Sequence, residues 1–299
     1  MKTGTTIITL DNGYHLWTNT QGHGDIHLLC LHGGPGGNHE YFENFAQKLA
    51  PLGVQVTMYD QLGSFYSDQP DFSKAENKQY LTTEYYLSEV EEVRQQLGLD
   101  HFYLIGQSWG GELVQLYALK YGQHLKGAII SSMIDNTEEY VEHVEACRED
   151  ALPPSTVKYM HEVEAKGDWS DERYQAAVDI LNKSYAGRKP SGISHLISTA
   201  VLTVYHEFQG DNEFVVTGKL KGFDIRDQIK NISMPTLLTF GEHETMSLKA
   251  AQRMAEDIPH ARLVTTPDAG HHHMIDNPDV YFAHLRQFIS DVESKTFDA

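Results

Sequence analysis

Basic residues are scarce in this chain: 23 Lys and Arg stand against 42 Asp and Glu, a formal net charge of −19 at pH 7. A surface that acidic repels phosphate backbones and anionic lipid, which argues against nucleic acid or a membrane as partner. Cysteine is scarcer still, with only Cys30 and Cys147. Two cysteines do not make a disulfide framework, and the count fits a reducing, cytoplasmic compartment. Cys30 lies in the apolar run Ile26-His27-Leu28-Leu29-Cys30-Leu31, where a buried, inert thiol is expected. No run approaches the ~20 apolar residues that cross a bilayer, and residues 1–10 do not read as a secretory leader. Repeats and low-complexity tracts are absent as well. The remaining composition, 40% hydrophobic and 22% charged over 299 residues, is that of a globular chain with room for one large domain carrying an insertion.

The first third alternates strands with helices. Residues 6–10 and 14–18 flank Asp11-Asn12-Gly13, a hairpin signal. Residues 26–31 form a short apolar run ending at glycines, as a buried strand would, and 54–59 form another with Asp60 just beyond it. Residues 83–97 carry apolar positions at helical spacing among many glutamates, the pattern of a surface helix. A buried strand over 102–105 and a helix over 112–121 follow. This alternation implies right-handed crossovers and a mainly parallel sheet, an α/β fold. From about residue 134 to 230 the chain turns helical and rich in Glu, Tyr and Lys, clearest at 138–149 and 171–182, with Pro153-Pro154 breaking the run. Strands return at 236–240 and 262–265, and an amphipathic helix over 280–292 closes the chain. The expected organisation is one α/β core, residues 1–133 and 231–299, interrupted by a helical insert over 134–230.

The strongest chemical signal is Gly106-Gln107-Ser108-Trp109-Gly110, followed by Gly111. About one chain of this length in ten carries G-x-S-x-G by accident, so the placement matters more than the pattern. Here it falls between a buried strand and a helix, where a tight turn pushes Ser108 out above the sheet edge as a nucleophile. The flanking glycines are needed because side chains there would collide with the neighbouring strand and helix. A second glycine cluster, His32-Gly33-Gly34-Pro35-Gly36, follows the strand at 26–31. Its N–H groups, with that of Trp109, suit an oxyanion hole. A phosphate loop fits poorly, since the lysine of a P-loop and the G-x-G-x-x-G spacing are both missing. In hydrolases of the α/β type the order is nucleophile, acid, histidine. Of 17 histidines, the cluster His271-His272-His273 follows the last strand, and His271 comes first after its glycine. Three adjacent histidines rarely converge on one metal ion. The acid is expected after the strand at 236–240, where Glu242 and Glu244 both stand; Asp268 sits on the histidine's own loop and cannot easily reach behind the ring.

Taken together, His32-Gly33-Gly34-Pro35-Gly36, Tyr59-Asp60-Gln61-Leu62-Gly63-Ser64, Gly106-Gln107-Ser108-Trp109-Gly110-Gly111, Asn212-Glu213-Phe214 and Gly270-His271 resemble the proline iminopeptidases, a branch of the α/β-hydrolase serine peptidases. The resemblance covers nearly the whole chain. It implies an α/β-hydrolase fold with the helical insert as a cap, and a Ser108–His271 pair completed by Glu244. The family usually has aspartate where Glu244 stands, which keeps Glu242 as the alternative acid. The resemblance further implies that Glu213 binds the substrate's free α-ammonium, that Tyr205 lines the pocket, and that Gly34 and Trp109 hold the oxyanion. Some relatives place a second glutamate just after the acid, where this chain has Thr245. The implied reaction releases an N-terminal residue, preferably proline, from short peptides or amino-acid amides through an acyl-enzyme, with no metal or organic cofactor. A broad carboxylesterase or amidase with the same triad, or a slow-turnover ligand-binding relative, would share these motifs. Dehalogenases and epoxide hydrolases of similar fold carry aspartate at the position of Ser108.

Overall fold

The computed structural model describes residues 2–189 and 194–297. Its frame is an eight-stranded sheet: β1 (Gly4–Thr9), β2 (His15–Gln21), β3 (Ile26–Leu31), β4 (Val54–Tyr59), β5 (Phe102–Gln107), β6 (Leu125–Ser131), β7 (Thr236–Gly241) and β8 (Ala261–Thr266). The spatial order is β1-β2-β4-β3-β5-β6-β7-β8. β1 and β2 form the antiparallel hairpin expected around Asp11-Asn12-Gly13, and β2 also runs antiparallel to β4. From β4 to β8 all neighbours are parallel. Every residue of β4, β5 and β7 is buried, the polar Gln55, Thr57 and Thr239 included, because layers cover both faces of these central strands.

Helices cover both faces. Thr83–Leu97 and Trp109–Tyr121 bury Val90, Val93, Leu113 and Tyr117 on one side. Phe45–Leu49 and Pro278–Glu293 close the other, with Phe45 edge-on to Phe282 at 4.8 Å. The hairpin strands are shifted by one to three residues from the expected 6–10 and 14–18, and two boundaries at the nucleophile turn differ as well. β5 runs on to Gln107, and the helix behind it starts at Trp109 rather than near residue 112. Gly110 and Gly111 disguise the first turn, because glycine has low intrinsic helix propensity.

The chain leaves the sheet at Ser131 and returns to it at Thr236. In between lie the helices Thr137–Ala151, Pro154–Glu164, Glu172–Leu181, Ser194–Ser198 and Leu202–Phe208. Asn136 and Asp171 cap two of them, their side chains accepting from the N–H groups of Glu139 and Tyr174. Pro154 occupies the first turn of the helix it opens, where its missing N–H costs nothing. Arg148, only 3% exposed, ties the insert together: its guanidinium donates to Glu164 at 2.7 Å and to the Phe214 carbonyl at 2.8 Å. The insert is laced to the core by Val201 N–H to Gly36 O at 2.7 Å and His271 N–H to Tyr185 O at 2.7 Å. Among the described residues, no helix is long and apolar enough to cross a membrane.

Candidate active site

β3 sits between β4 and β5, so the connections from β3 and from β5 depart to opposite sides of the sheet. Such a reversal opens a crevice at the carboxyl ends of the strands, where ligands of open α/β sheets bind. The loop after β3 carries Gly33 and Gly34, and the turn after β5 carries Ser108. They meet closely: a Cβ on Gly33 would stand 3.2 Å from Ser108 Cβ.

Ser108 has φ 55° and ψ −122°, a conformation that costs a non-glycine residue about 1–3 kcal/mol and that persists where the surroundings enforce it. The enforcement is visible. Its N–H donates to Ser131 O at 2.9 Å, while its carbonyl accepts from Gly111 N–H at 2.6 Å. A Cβ on Gly106 would lie 2.0 Å from Gly110 O, and one on Gly110 would lie 2.1 Å from Leu31 O. Only hydrogen fits at either position. The turn also puts Trp109 at the first position of its helix, so its N–H faces outward beside Ser108 with the positive end of the helix dipole.

His271 lies on the loop after β8 and is 3% exposed. Its carbonyl accepts from Gln107 Nε2 at 2.7 Å and from the Ser132 hydroxyl at 3.1 Å, which anchors the residue directly to the elbow. Its Nδ1 is 2.6 Å from Glu244 Oε1. An ionised carboxylate can only accept, so Nδ1 carries the hydrogen and Nε2 faces the cavity, where it has no hydrogen-bond partner. Glu244, 2% exposed, also accepts from Ser132 Oγ at 2.7 Å and from the N–H groups of Thr245 and Gly241 at 2.9 and 3.2 Å. Burial favours its neutral form, but the adjoining imidazole and these donors prevail and hold it down at about 2. Burial likewise disfavours charge on His271, yet the carboxylates of Glu213 and Glu244 outweigh it and lift the ring to about 9.

Glu213 comes from the insert. Its Oε1 lies 3.6 Å from His271 Nε2 and accepts from Thr245 Oγ1 at 3.1 Å and Tyr140 Oη at 3.2 Å; Tyr205 Oη is 3.5 Å from Oε2. Tyr140 also donates to the Glu213 carbonyl and accepts from Gln209 at 3.0 Å. The Glu213 carboxylate lines a cavity of about 490 Å³ shared with Gly34, Tyr41, Ser108, Tyr205 and His271. A much smaller recess opens beside Ser108, walled by Trp109, Met133, Ile134, Leu220 and Met246 together with the polar Asn136, Thr137 and Gln209.

Other candidates lie elsewhere. Glu242 is exposed and accepts from Asp268 N–H at 3.0 Å, so neither carboxylate faces the ring of His271. His273 is buried between Ser131 Oγ at 2.9 Å and Thr266 Oγ1 at 3.1 Å, and His272 reaches the Ala186 carbonyl at 3.0 Å. Burial keeps both rings neutral, near 3 and 4. Tyr140, Gln209 and the bridging hydroxyl of Thr245 escaped sequence reasoning, for nothing local marks residues that meet across 70 or 30 positions. Gln61 is a further case: it accepts from the Trp109 indole at 2.9 Å and donates to His32 O at 3.2 Å, joining three loops beneath the crevice.

The geometry has counterparts among known proteins. Residues 26–278 match the alpha/beta hydrolase fold family. A proline iminopeptidase of Flavobacterium johnsoniae is 33% identical over 90% of this chain and 91% of its own, and that of Elizabethkingia meningoseptica is 33% identical over 98% and 99%. Among solved structures, a proline iminopeptidase of Mycobacterium smegmatis superposes with a TM-score of 0.88 at 25% identity, covering 98% of this chain and 99% of its own. Identity at that level over nearly the full length on both sides places the chain in the alpha/beta hydrolase fold family and, within it, among the proline iminopeptidases.

Proposed function

We propose that this protein is a serine aminopeptidase that releases an N-terminal residue, preferably proline, from short peptides or amino-acid amides. The observation that carries the reading is a carboxylate, Glu213, held by Tyr140, Tyr205 and Thr245 in the cavity that also holds Ser108 and His271. A free α-ammonium would pair with Glu213, which places the adjoining acyl carbon over Ser108. The preference for proline follows the likeness to relatives named proline iminopeptidase.

In this reading His271 Nε2 takes the proton of Ser108 as its Oγ attacks the substrate carbonyl. Glu244 orients the ring and stabilises the imidazolium that forms. The N–H groups of Trp109 and Gly34 receive the tetrahedral oxyanion. His271 then protonates the leaving amine, and water hydrolyses the acyl-enzyme by the same route in reverse. The insert over 134–230 acts as a cap that supplies both the amine anchor and the far wall, with Asp179 and Asp211 adding negative charge around a cationic substrate. Two free, buried cysteines fit a cytoplasmic setting.

The test is kcat/KM on prolyl-, alanyl- and N-acetylprolyl-4-nitroanilide. The expected order is prolyl first and the acetylated compound last by about a hundredfold or more, since capping removes a charge-assisted pair in a shielded site. Equal rates on free and acetylated substrates would leave a general esterase or amidase.

A further inference from the structure

The carboxylate proposed as amine anchor also faces the atom that must act as base. Glu213 Oε1 is 3.6 Å from His271 Nε2, and among the described residues that nitrogen has no hydrogen-bond partner. The Thr245 hydroxyl links the two carboxylates, 3.1 Å from Glu213 Oε1 and 3.3 Å from Glu244 Oε1, and lies 3.0 Å from His271 Nδ1. The imidazole is thus flanked by one carboxylate on each nitrogen. With a substrate amine absent, the arrangement is that of an imidazolium between two counter-ions.

We propose that Glu213 sets substrate choice twice: it binds the substrate's ammonium, and by pairing with His271 in the free enzyme it keeps the catalytic base protonated until that ammonium takes the carboxylate over. This deepens the anchor reading and rests on it for the second half. When the cation arrives, Glu213 exchanges one positive partner for another, the Nε2–H proton leaves to solvent, and Nε2 becomes free to accept from Ser108. A substrate without a cationic amine meets an enzyme whose base is still charged, so it is rejected in turnover as well as in binding.

The other groups around the ring do not replace Glu213 in this role. Glu244 is paired with Nδ1 rather than Nε2, and at 2% exposure it is sequestered from the cavity. His272 and His273 are kept neutral by burial. Tyr41 and Tyr205, which face the cavity, hold their protons because burial and the nearby Glu213 push both phenols upward. His143 and Cys147 approach the carbonyl of Glu244, at 3.0 and 3.9 Å, on the side away from Nε2. Burial alone would favour the neutral ring; the charge of Glu213 on one side and the charge and hydrogen bond of Glu244 on the other reverse that.

The experiment compares wild type with Glu213→Gln on 4-nitrophenyl acetate, a neutral ester with no amine, following kcat/KM from pH 6 to 10. The wild-type profile is expected to rise toward pH 9. That of Glu213→Gln is expected to rise at least one unit earlier, so the variant hydrolyses this ester about tenfold faster at pH 7. The fold of the variant is checked by its circular dichroism and thermal unfolding, and the two rates should approach each other toward pH 10, where His271 is neutral in both. Wild-type kcat on prolyl-4-nitroanilide should have its acid limb below that seen with the ester. Superposable ester profiles, or a variant slower on the ester at pH 7 yet equal to wild type at pH 10, would overturn the proposal. A shifted ester profile combined with equal turnover of free and acetylated prolyl substrates would discard the anchor and retain the pairing of Glu213 with the base; since no ammonium could then release it, that result too overturns the proposal as stated.

Discussion

At the scale of single residues, the account turns on which carboxylate serves which partner. Glu244 lies 2.6 Å from His271 Nδ1 and has every oxygen occupied by donors. Glu244→Gln would present an amide to Nδ1 and favour the wrong tautomer, so kcat on the prolyl substrate should fall by about 10⁴ with little change in fold. Glu242→Gln, altering a side chain directed at the Asp268 backbone, should leave kcat within about twofold of wild type. Steady-state kinetics on both variants checks the pair. Much of this chemistry could be read from the chain alone. Ser108 stands out because a glycine-flanked serine between strand and helix has few other uses, and His271 because it follows the last strand. The choice of Glu244 over Glu242 comes from the family resemblance alone, since two residues of separation decide only through backbone geometry which one turns inward.

The elements explain how those side chains are held. Ile26–Leu31, Val54–Tyr59 and Thr83–Leu97 fall where periodicity puts them, because a buried parallel strand or an amphipathic helix imposes its pattern on every residue within it. The insert is less legible. Two of its helices have clear caps, but the contacts that place Glu213 link Tyr140 and Arg148 of the helix Thr137–Ala151 with Gln209, just beyond Leu202–Phe208, and no local pattern announces them. Arg148 is the most exacting of these. Replacing it in Arg148→Met would leave Glu164 with only Tyr174 and His161 beside it and free the Phe214 carbonyl next to Glu213. The expected cost is about 3 kcal/mol in urea unfolding, together with a raised KM for prolyl substrates and a smaller change in kcat.

Over the whole molecule, the acidic balance that opens the sequence has a buried counterpart. Burial pushes the carboxyls of Glu89 and Glu112 from an ordinary 4.5 up to about 8, the Leu62 N–H offsetting only part of this for Glu89. Between pH 4.5 and 8 the folded chain therefore retains protons that the unfolded chain has lost, and stability falls as pH rises through this window. Glu244 works in the opposite sense: held at about 2, it contributes stability above pH 4.5 that is lost as pH falls toward 2. Glu112→Gln should accordingly raise Tm more at pH 8 than at pH 5, by an amount equivalent to a few kcal/mol, on the order set by the shift. Calorimetry at the two values checks the sign, and an equal change at both would mean that Glu112 does not titrate in this range.

The most direct test of the central claim is the ratio of kcat/KM for prolyl-4-nitroanilide to that for N-acetylprolyl-4-nitroanilide, in wild type and in Glu213→Gln. An ammonium anchored by Glu213 predicts a large ratio in the wild type that collapses by about a hundredfold in the variant. A ratio that survives the substitution would contradict the account and move amine recognition away from Glu213.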